Sequence, residues 1–575
     1  MSILSRRDLV KAGVTVSALV TTSVVTGSAL ANEAATFAPG TYTVTVPSIK
    51  GDMTVATSFN ADVITDVHVI SCVDSNVIKD VAIQSVCPRI VEQQNIEVDA
   101  VAGATMTSLA IKNAVAQAIK LAGGDPVAFE KGSDALAEKP QGEDETYDIV
   151  VIGAGAAGLS AALTAAREES APSVLLLEKQ AFIGGCYRVC GGGMWTFNAP
   201  INEWVGQDCS KEDLIDFMTR RSGEYPINEE LWSNIFDISG EIFMNLWKEG
   251  VGFNPLTWSL GNAQSQIPCF WTLRHSDIPW EDVVSGWSDQ EKLIVDRAGV
   301  ETRVNSRVIE LVTDGSKVEG VVVEDLEKVY TVHAKKVIIA TGGFTQNMEY
   351  RDQYAPEFEN AFAFTSAGDT GDGITLTRDL DVPIVGNGMM GLMGLNPALG
   401  YYGEFGSLVW LPQMCVNAEG EPIDLSIHYG DTLKLICDQT DGHIFGIFDA
   451  TNAVAERLEK ALALGYVSKY DSLEELAAGE GIAADAFVAS TANLAEGPYY
   501  CIIIRPLFIG SIPGLQVDEK CHVINASGEI VENLYAAGMC MFGNVFNIAY
   551  PSSGTGVGTS HYTGAIAARD AVAAL

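Results

Sequence analysis

Two glycine-rich segments of the chain have residue types and spacings that suit the binding of nucleotide cofactors. The second of them, Gly153-Ala-Gly155-Ala-Ala-Gly158, follows the apolar segment Asp148–Ile152 and precedes a helical pattern. Its glycines let the backbone approach a pyrophosphate, whose charge the positive helix N-terminus stabilises. A second apolar segment ends in Glu178, at about the 20-residue spacing where a carboxylate can accept a ribose hydroxyl. This pattern predicts a parallel sheet that binds a dinucleotide.

More glycine-rich segments follow in a fixed order: Gly184-Gly185, Val337–Gly343, Gly371-Asp-Gly373 and Leu534–Gly538. Together with the first, they resemble the superfamily of FAD-dependent fumarate reductases and 3-ketosteroid dehydrogenases. The resemblance runs from about Asp148 to the C-terminus and implies an α/β fold: a Rossmann-like FAD domain with an inserted α+β cap domain. The residues that it implies for non-covalent FAD binding are Gly153, Gly155, Gly158, Glu178, Lys179, Gly184, Gly185, Cys186, Val308, Gly342, Asp372, Gly538, Gly556 and Val557.

The other glycine-containing segment, Asp99-Ala-Val-Ala-Gly-Ala-Thr105, resembles the motif of small FMN-binding domains in sodium-pumping quinone reductases. The resemblance implies that a flavin transferase joins the FMN phosphate to Thr105, although Ala102 stands where the motif usually has Ser or Thr. Gly40–Val46 and Met53–Phe59 alternate as strands do, which predicts a small α+β domain. The alternative is an ordinary helix start at which the threonine is only an N-cap.

The N-terminus predicts export. Ser5-Arg6-Arg7-Asp-Leu-Val-Lys11, the apolar run Ala12–Leu30 and the small-residue end at Ala31 match a twin-arginine signal. This route carries folded, cofactor-loaded proteins, so a periplasmic or other extracytoplasmic location is predicted. A retained anchor is the alternative, because the run is about as long as the shortest membrane-spanning helices.

The composition and charge of the chain limit the classes of partner that the protein is expected to have. The 575 residues suffice for about three domains, and the formal charge of −39 disfavours nucleic acid as a partner. An acidic surface suits solubility, or a redox partner protein such as a cytochrome or quinol-linked donor. The 11 cysteines are odd in number and predict neither a disulfide framework nor a metal site. The predicted boundaries are 1–31 for the signal, 37–123 for the FMN-binding domain, 124–145 for a linker, 146–344 and 498–575 for the FAD-binding domain, and 345–497 for the cap.

The cap departs from the carboxylate reducers of the superfamily. The first part of their cap motif matches Val416–Gly420, but the residues that follow, as far as Asp431, include no arginine. Without guanidinium groups a buried carboxylate substrate would lose its bidentate partners. A simple fumarate-type substrate is therefore disfavoured.

The C-terminal motif Tyr550-Pro-Ser-Ser-Gly554-Thr-Gly556-Val-Gly558 resembles that of the 3-ketosteroid dehydrogenases. The resemblance implies that the Tyr550 hydroxyl and the Gly554 amide hold a ketone oxygen. Hydride addition to an enone places negative charge on that oxygen, which two fixed donors stabilise. With a one-residue gap, the same resemblance places Tyr429 in the cap as proton donor, with His428 as the second choice. The alternative for Tyr550 is a core tyrosine.

These residues predict an exported oxidoreductase acting on CH–CH bonds, in which electrons pass from FMN to FAD and reduce a bulky α,β-unsaturated ketone such as a steroid. Three alternatives stay open: an enoate reductase using Arg274 or Arg505, a ketosteroid dehydrogenase running oxidatively, and an electron carrier without a substrate site. The tryptophan-rich segment Trp195–Trp287 and the apolar run Gly386–Met393 are candidate walls of an apolar pocket, or simply core.

Overall fold

A computed structural model forms two units, Met1–Pro140 and Gln141–Leu575. Within the described ranges no helix combines the length and apolar character that a membrane crossing needs. The predicted signal, residues 1–31, lies outside them apart from two residues. The described residues are 16–17, 37–48, 52–72, 76–96, 98, 105–129, 139–204, 210–223, 225, 227–254, 269–272, 286–396, 399–401, 403–427, 429–491, 493–548 and 550–575.

The N-terminal unit packs two helices against an antiparallel sheet of order β1-β2-β3-β4. Alternation places the side chains of Val44 and Val55 in the core, and the apolar helix residues Ile111 and Ala114 are buried as well. The two strands and the small α+β domain predicted from sequence are confirmed. Its elements are β1 (Val16–Ser17), β2 (Gly40–Pro47), β3 (Asp52–Phe59), β4 (Ile64–Cys72), α1 (Asn76–Gln93) and α2 (Thr105–Leu121).

The second unit is a mixed α/β structure. Its strands are β5 (Glu145–Ile152), β6 (Val174–Leu177), β7 (Gly193–Trp195), β8 (Phe253–Asn254), β9 (Cys269–Thr272), β10 (Glu301–Arg303), β11 (Arg307–Asp314), β12 (Lys317–Glu324), β13 (Val329–Ile339), β14 (Phe362–Ala363), β15 (Ile384–Val385), β16 (Met389–Gly394), β17 (Met414–Val416), β18 (Pro422–Ile423), β19 (Ile444–Phe448), β20 (Ser468–Tyr470), β21 (Tyr499–Ser511), β22 (Gly514–Leu515), β23 (His522–Ile524) and β24 (Ile530–Ala536).

Helices cover the sheets of this unit and connect their strands. The longest are α7 and α16, and most of the others have 12 residues or fewer. They are α3 (Ala156–Arg167), α4 (Gly185–Val189), α5 (Pro200–Trp204), α6 (Lys211–Ser222), α7 (Glu229–Lys248), α8 (Gly286–Arg297), α9 (Met348–Tyr354), α10 (Asp372–Leu376), α11 (Gly403–Gly406), α12 (Thr432–Cys437), α13 (Ala455–Ala463), α14 (Leu473–Glu480), α15 (Ala484–Ser490) and α16 (Thr555–Ala573).

The central sheet has the order β10-β6-β5-β13-β12-β24-β23, with β11 paired to β12. Strands β5, β6 and β13 are parallel neighbours, and their apolar residues are buried on both faces, as is usual for a sheet covered by helices. Ile152 lies opposite Leu177 and Ile339, so the carboxyl ends of the three strands coincide. The residues that follow these strands therefore meet at one edge.

A second sheet forms the inserted cap. It contains β14, β16, β17, β18, β19, β20 and β21, and the long strand β21 pairs with four of the others. Most of β21 is apolar and buried, with Ile504 and Leu507 fully so, which suits a strand shared by two layers. This sheet therefore continues past the boundary predicted at residue 498.

The C-terminal helix α16 returns the end of the chain to the glycine-rich edge. It packs against α3, and a Cβ built on Gly564 would lie 2.3 Å from the carbonyl oxygen of Ala157. Only a residue without a side chain allows this approach. The two helices that start at Gly155 and Gly554 thus lie side by side, although about 400 residues separate them.

Candidate active site

A single cavity of about 1510 Å³ extends from the carboxyl edge of the central sheet into the cap. Residues from both ends of the second unit line it, including Gly153, Glu178 and Gly554. Its volume exceeds the roughly 300–1,000 Å³ of a typical small-molecule site. It therefore has room for a dinucleotide and a second molecule.

The glycine loop gives this cavity a backbone surface. Gly153 has a φ of +101°, and a Cβ there would lie 2.5 Å from the Ala340 carbonyl oxygen. A Cβ on Gly158 would lie 1.8 Å from the Gly153 carbonyl oxygen, whereas the nearest atom to a Cβ on Gly155 would be 3.8 Å away. Gly153 and Gly158 therefore serve close packing, and Gly155 leaves the N-terminus of α3 open to the cavity, as a pyrophosphate requires.

Glu178 has the position of a ribose acceptor. Its Oε2 accepts a hydrogen bond from the Ala154 N–H at 2.9 Å, and its Oε1 accepts one from the Gln180 N–H at 2.8 Å. Burial raises the pKa of Glu178 despite these bonds. The carboxylate is thus held rigidly at the cavity, where hydroxyl donors of a ribose would stabilise its charged form.

Two further carboxylates line the same part of the cavity. Lys179 forms an ion pair with Asp372 at 2.9 Å, which neutralises both groups. Asp369 accepts the N–H of Gly343 at 2.6 Å and that of Thr345 at 3.1 Å, and burial raises its pKa. The sequence predicted Asp372, but not Asp369, as an FAD-binding residue. Both belong to one Gly- and Asp-rich segment that lies C-terminal to the strand and loop of residues 337–343.

The predicted FAD residues fall into two groups. Gly158 and Gly184 are absent from the described lining, because the first packs on Gly153 and the second donates its N–H to the Ala154 oxygen at 2.8 Å. Gly538 likewise packs against Ala157. Those that line the cavity are Gly153, Gly155, Glu178, Lys179, Gly185, Cys186, Val308, Gly342, Asp372, Gly556 and Val557.

Two cysteines, Cys186 and Cys190, line the cavity beside the glycine loop, and neither forms a disulfide in the described structure. Burial raises the pKa of Cys186 well above its usual value, with the charge of Asp369 adding to the effect. A thiol of raised pKa is a poor nucleophile. The geometry thus favours packing for Cys186.

Tyr550 and Gly554 come together at the start of α16. The Gly554 N–H donates to the Tyr550 hydroxyl oxygen at 3.1 Å, and both residues line the cavity. Gly554 has a φ of +78° at the N-cap of the helix, a conformation that favours glycine. The Tyr550 O–H and the Gly554 N–H can both donate to one ketone oxygen once that oxygen replaces the tyrosine oxygen as the acceptor of the Gly554 N–H.

The proposed proton donor lies in the cap. Tyr429 begins the 3-10 turn Tyr429–Asp431, but its side chain and His428 fall outside the described residues. Ile427 and Thr432, on either side, line the cavity. Arg221 of α6 donates to both carboxylate oxygens of Asp431, at 2.7 and 3.1 Å, and so fixes the end of this turn.

Most residues on the cap side of the cavity are apolar. Met390, Leu392 and Met393 line it, as the apolar run Gly386–Met393 predicts. The tryptophans behave differently: Trp195 and Trp232 are fully buried core residues, and no described tryptophan of the segment 195–287 lines the cavity. Trp410, which lies outside that segment, does line it. The pocket-wall interpretation of that segment thus gains no support from its described tryptophans.

Comparison with known proteins decides the family. A family model described as FAD binding domain matches residues 148–401 and 448–557, which is more than half of the chain. The chain belongs to this FAD-binding family. A model described as FMN-binding domain matches residues 49–120. The predictions of an FAD-dependent oxidoreductase and of an FMN-binding domain are confirmed.

The relatives and solved structures agree with this family. Urocanate reductase of Eggerthella lenta is 26% identical over 94% of this chain and 94% of that protein. NADH:fumarate oxidoreductase of Klebsiella pneumoniae is also 26% identical, over 88% of this chain, which spans only 55% of that protein. The structure of a 3-ketosteroid Δ1-dehydrogenase from Sterolibacterium denitrificans superimposes on 75% of the chain with a TM-score of 0.63 at 19% identity, which shows a shared fold.

The geometry of Glu178 predicts weaker FAD retention in a Glu178→Gln protein. The glutamine side chain has the same shape as glutamate, but an NH2 donor replaces one of its two acceptor oxygens. This donor then faces the N–H of Ala154 or Gln180, or a hydroxyl of the ribose, where an acceptor is needed. After extensive dialysis we expect the ratio of FAD to protein, measured by absorbance, to fall at least severalfold. The control is Glu310→Gln, an exposed residue of β11. Equal FAD content in the two variants would contradict the assignment of Glu178.

Proposed function

We propose that this protein is an exported flavin-dependent reductase of the carbon–carbon double bond in α,β-unsaturated ketones. The observation that carries the proposal is the pair of donors from Tyr550 and Gly554, 3.1 Å apart at the cavity. No described guanidinium shares this part of the lining. Relatives named as urocanate and fumarate reductases support reduction of a conjugated double bond.

The Tyr550 hydroxyl and the Gly554 N–H bind the ketone oxygen and orient the double bond. The two flavins, when bound, would supply the redox chemistry: FMN would take up electrons, and FAD would provide the hydride for the β-carbon. As the ketone becomes an enolate, its oxygen gains negative charge, which both donors stabilise more strongly than they stabilise the neutral ketone. The apolar side chains of β16 exclude water and so strengthen both hydrogen bonds.

We assign the proton transfer to the α-carbon to Tyr429. Its turn lies between two lining residues, Ile427 and Thr432, and the Arg221–Asp431 ion pair holds it against α6. A neutral phenol can protonate the enolate carbon, and the negative charge then passes to the tyrosine oxygen, which takes up a proton from water before the next turnover. This suits a cap whose motif has no arginine through Asp431.

A second candidate is the reduction of an unsaturated acid, which the names of the relatives favour. Of the arginines suggested for it, Arg505 does not line the described part of the cavity, and Arg274 falls outside the described residues. A carboxylate beside Tyr550 would then meet neutral donors alone. The ketone is the better match to that chemistry.

We also propose that FMN is attached covalently at Thr105 and that the chain is exported. Thr105 begins α2, within the matched FMN-binding domain. A flavin transferase would mature the protein, and a cytochrome or quinol-linked protein would deliver electrons to it. The Arg6-Arg7 signal supports export, which cell fractionation of the full-length chain tests directly.

A Tyr550→Phe protein should lose activity on enones while it keeps its FAD. The loss of one fixed donor to a developing enolate typically lowers kcat about 100-fold or more. The measurement is anaerobic turnover with benzylideneacetone, beside flavin content by absorbance. Tyr535→Phe, which removes a hydroxyl bound to Asp570 away from the cavity, is the control. Wild-type turnover in Tyr550→Phe would refute the oxygen-binding role.

A Thr105→Ala protein should lack covalent flavin. Protein co-expressed with a flavin transferase is denatured, separated by electrophoresis and examined for flavin fluorescence. We expect the band of the wild type to fluoresce, that of Thr105→Ala to be dark, and that of Thr107→Ala, in the same helical turn, to fluoresce. A fluorescent Thr105→Ala band would show that FMN is joined elsewhere.

A further inference from the structure

Arg457 is a cationic residue of the cavity that the proposed reaction does not use. Among the described lining residues the cations are Lys179 and Arg457, and Lys179 is paired with Asp372. Within the described structure, the hydrogen bond of Arg457 joins its Nη1 to the Ser407 hydroxyl at 3.1 Å. The hydroxyl accepts one hydrogen bond from the guanidinium but does not neutralise its positive charge.

The carboxylates near Arg457 are engaged by lysines instead. On the same helix, Glu456 binds Lys460 at 3.3 Å, and Glu459 binds Lys469 at 2.6 Å. Glu404, across from this helix, also binds Lys460, at 3.5 Å. Arg457 thus has no carboxylate partner within 4.0 Å among the described residues, and Glu456 beside it in the sequence pairs with Lys460.

Arg457 lies at the mouth of the cavity. Its partner Ser407 begins the 3-10 helix Ser407–Trp410, and Trp410 and Leu411 line the cavity while remaining 39% and 37% exposed. Leu458, next to Arg457, is fully buried in one cluster with Leu408. The guanidinium is therefore carried by a fixed helix beside an apolar entrance.

The proposed reacting end and the Arg457 side are associated with different ends of β16. Met390 lies at the first, because a Cβ on Gly556 would lie 3.3 Å from its Cε. Met393 belongs to the buried cluster that also contains Leu408 and Leu458, the neighbours of Ser407 and Arg457 in the chain. Met390 and Met393 are three positions apart, about 10 Å along a strand. We therefore expect a molecule held at both Tyr550 and Arg457 to be elongated.

We propose that Arg457 determines substrate specificity by binding an anionic group, such as a carboxylate, at the end of the substrate remote from the double bond. This inference rests on the proposed enone reduction. The substrate class is an elongated, apolar enone with an oxyanion at its far end. An arginine suits this task because its fork matches a carboxylate in a bidentate geometry and stays charged at any physiological pH.

The test compares benzylideneacetone with its para-carboxylated analogue, using FAD-loaded full-length protein. In the wild type we expect the KM of the carboxylated ketone to be at least about tenfold lower than that of benzylideneacetone. Only the carboxylated ketone can form a charge-assisted hydrogen bond with Arg457. Arg457→Met should raise that KM to the value for the neutral ketone and leave kcat and the KM of the neutral ketone unchanged. Arg457→Lys should restore part of the difference.

Lys434→Met is the control, because Lys434 is an exposed cation of the cap helix α12, pairs with Asp438 and is not among the lining residues. Equal KM values for the two ketones in the wild type, or an equal effect of Lys434→Met, would overturn the role of Arg457. If neither ketone is reduced, the proposed function fails. The role of Arg457 is then tested by measuring the Kd of the carboxylated ketone from the change in flavin absorbance. Equal Kd values for the wild type and Arg457→Met would overturn the inference.

Discussion

The parallel strands β5, β6 and β13 end in register, with Ile152 opposite both Leu177 and Ile339. Because of this alignment, Gly153, Glu178 and Ala340 follow their strands at one edge of the sheet. A shift of one residue would move each buried side chain to the other face and separate these groups. The close packing of Gly153 on Ala340 further fixes the loop, so the sheet itself positions these residues, which are predicted to bind FAD.

The reacting end is built by the chain's C-terminus against this edge. Helix α16 packs on α3, and its start brings Gly554 and Tyr550 to the cavity. The cap closes the other side through β16 and the turn that Arg221 holds at Asp431. In the proposed function the central sheet binds the cofactor, and the cap selects the substrate. Differences between members of such a family are therefore expected in the cap and in the start of the last helix.

The sequence predicts local features well and long-range ones poorly. The glycine loop, Glu178 and the Tyr550–Gly554 pair follow from short motifs whose geometry is set by one turn or one helix start. Asp369 and Arg457 carry no such motif, since their place in the cavity depends on packing between distant segments. Composition leaves the tryptophans undecided between core and pocket wall for the same reason: the dense segment supplies Trp195 and Trp232 to the core, and an isolated Trp410 lines the cavity.

The central claim is that neutral donors at Tyr550 and Gly554 select a ketone over a carboxylate. The most direct measurement mixes anaerobically reduced protein with benzylideneacetone or with cinnamate, which differ only in the group conjugated to the double bond, and follows flavin reoxidation. The account predicts rapid reoxidation by the ketone and little by the acid. Faster reoxidation by cinnamate would contradict it and would assign the site to unsaturated acids.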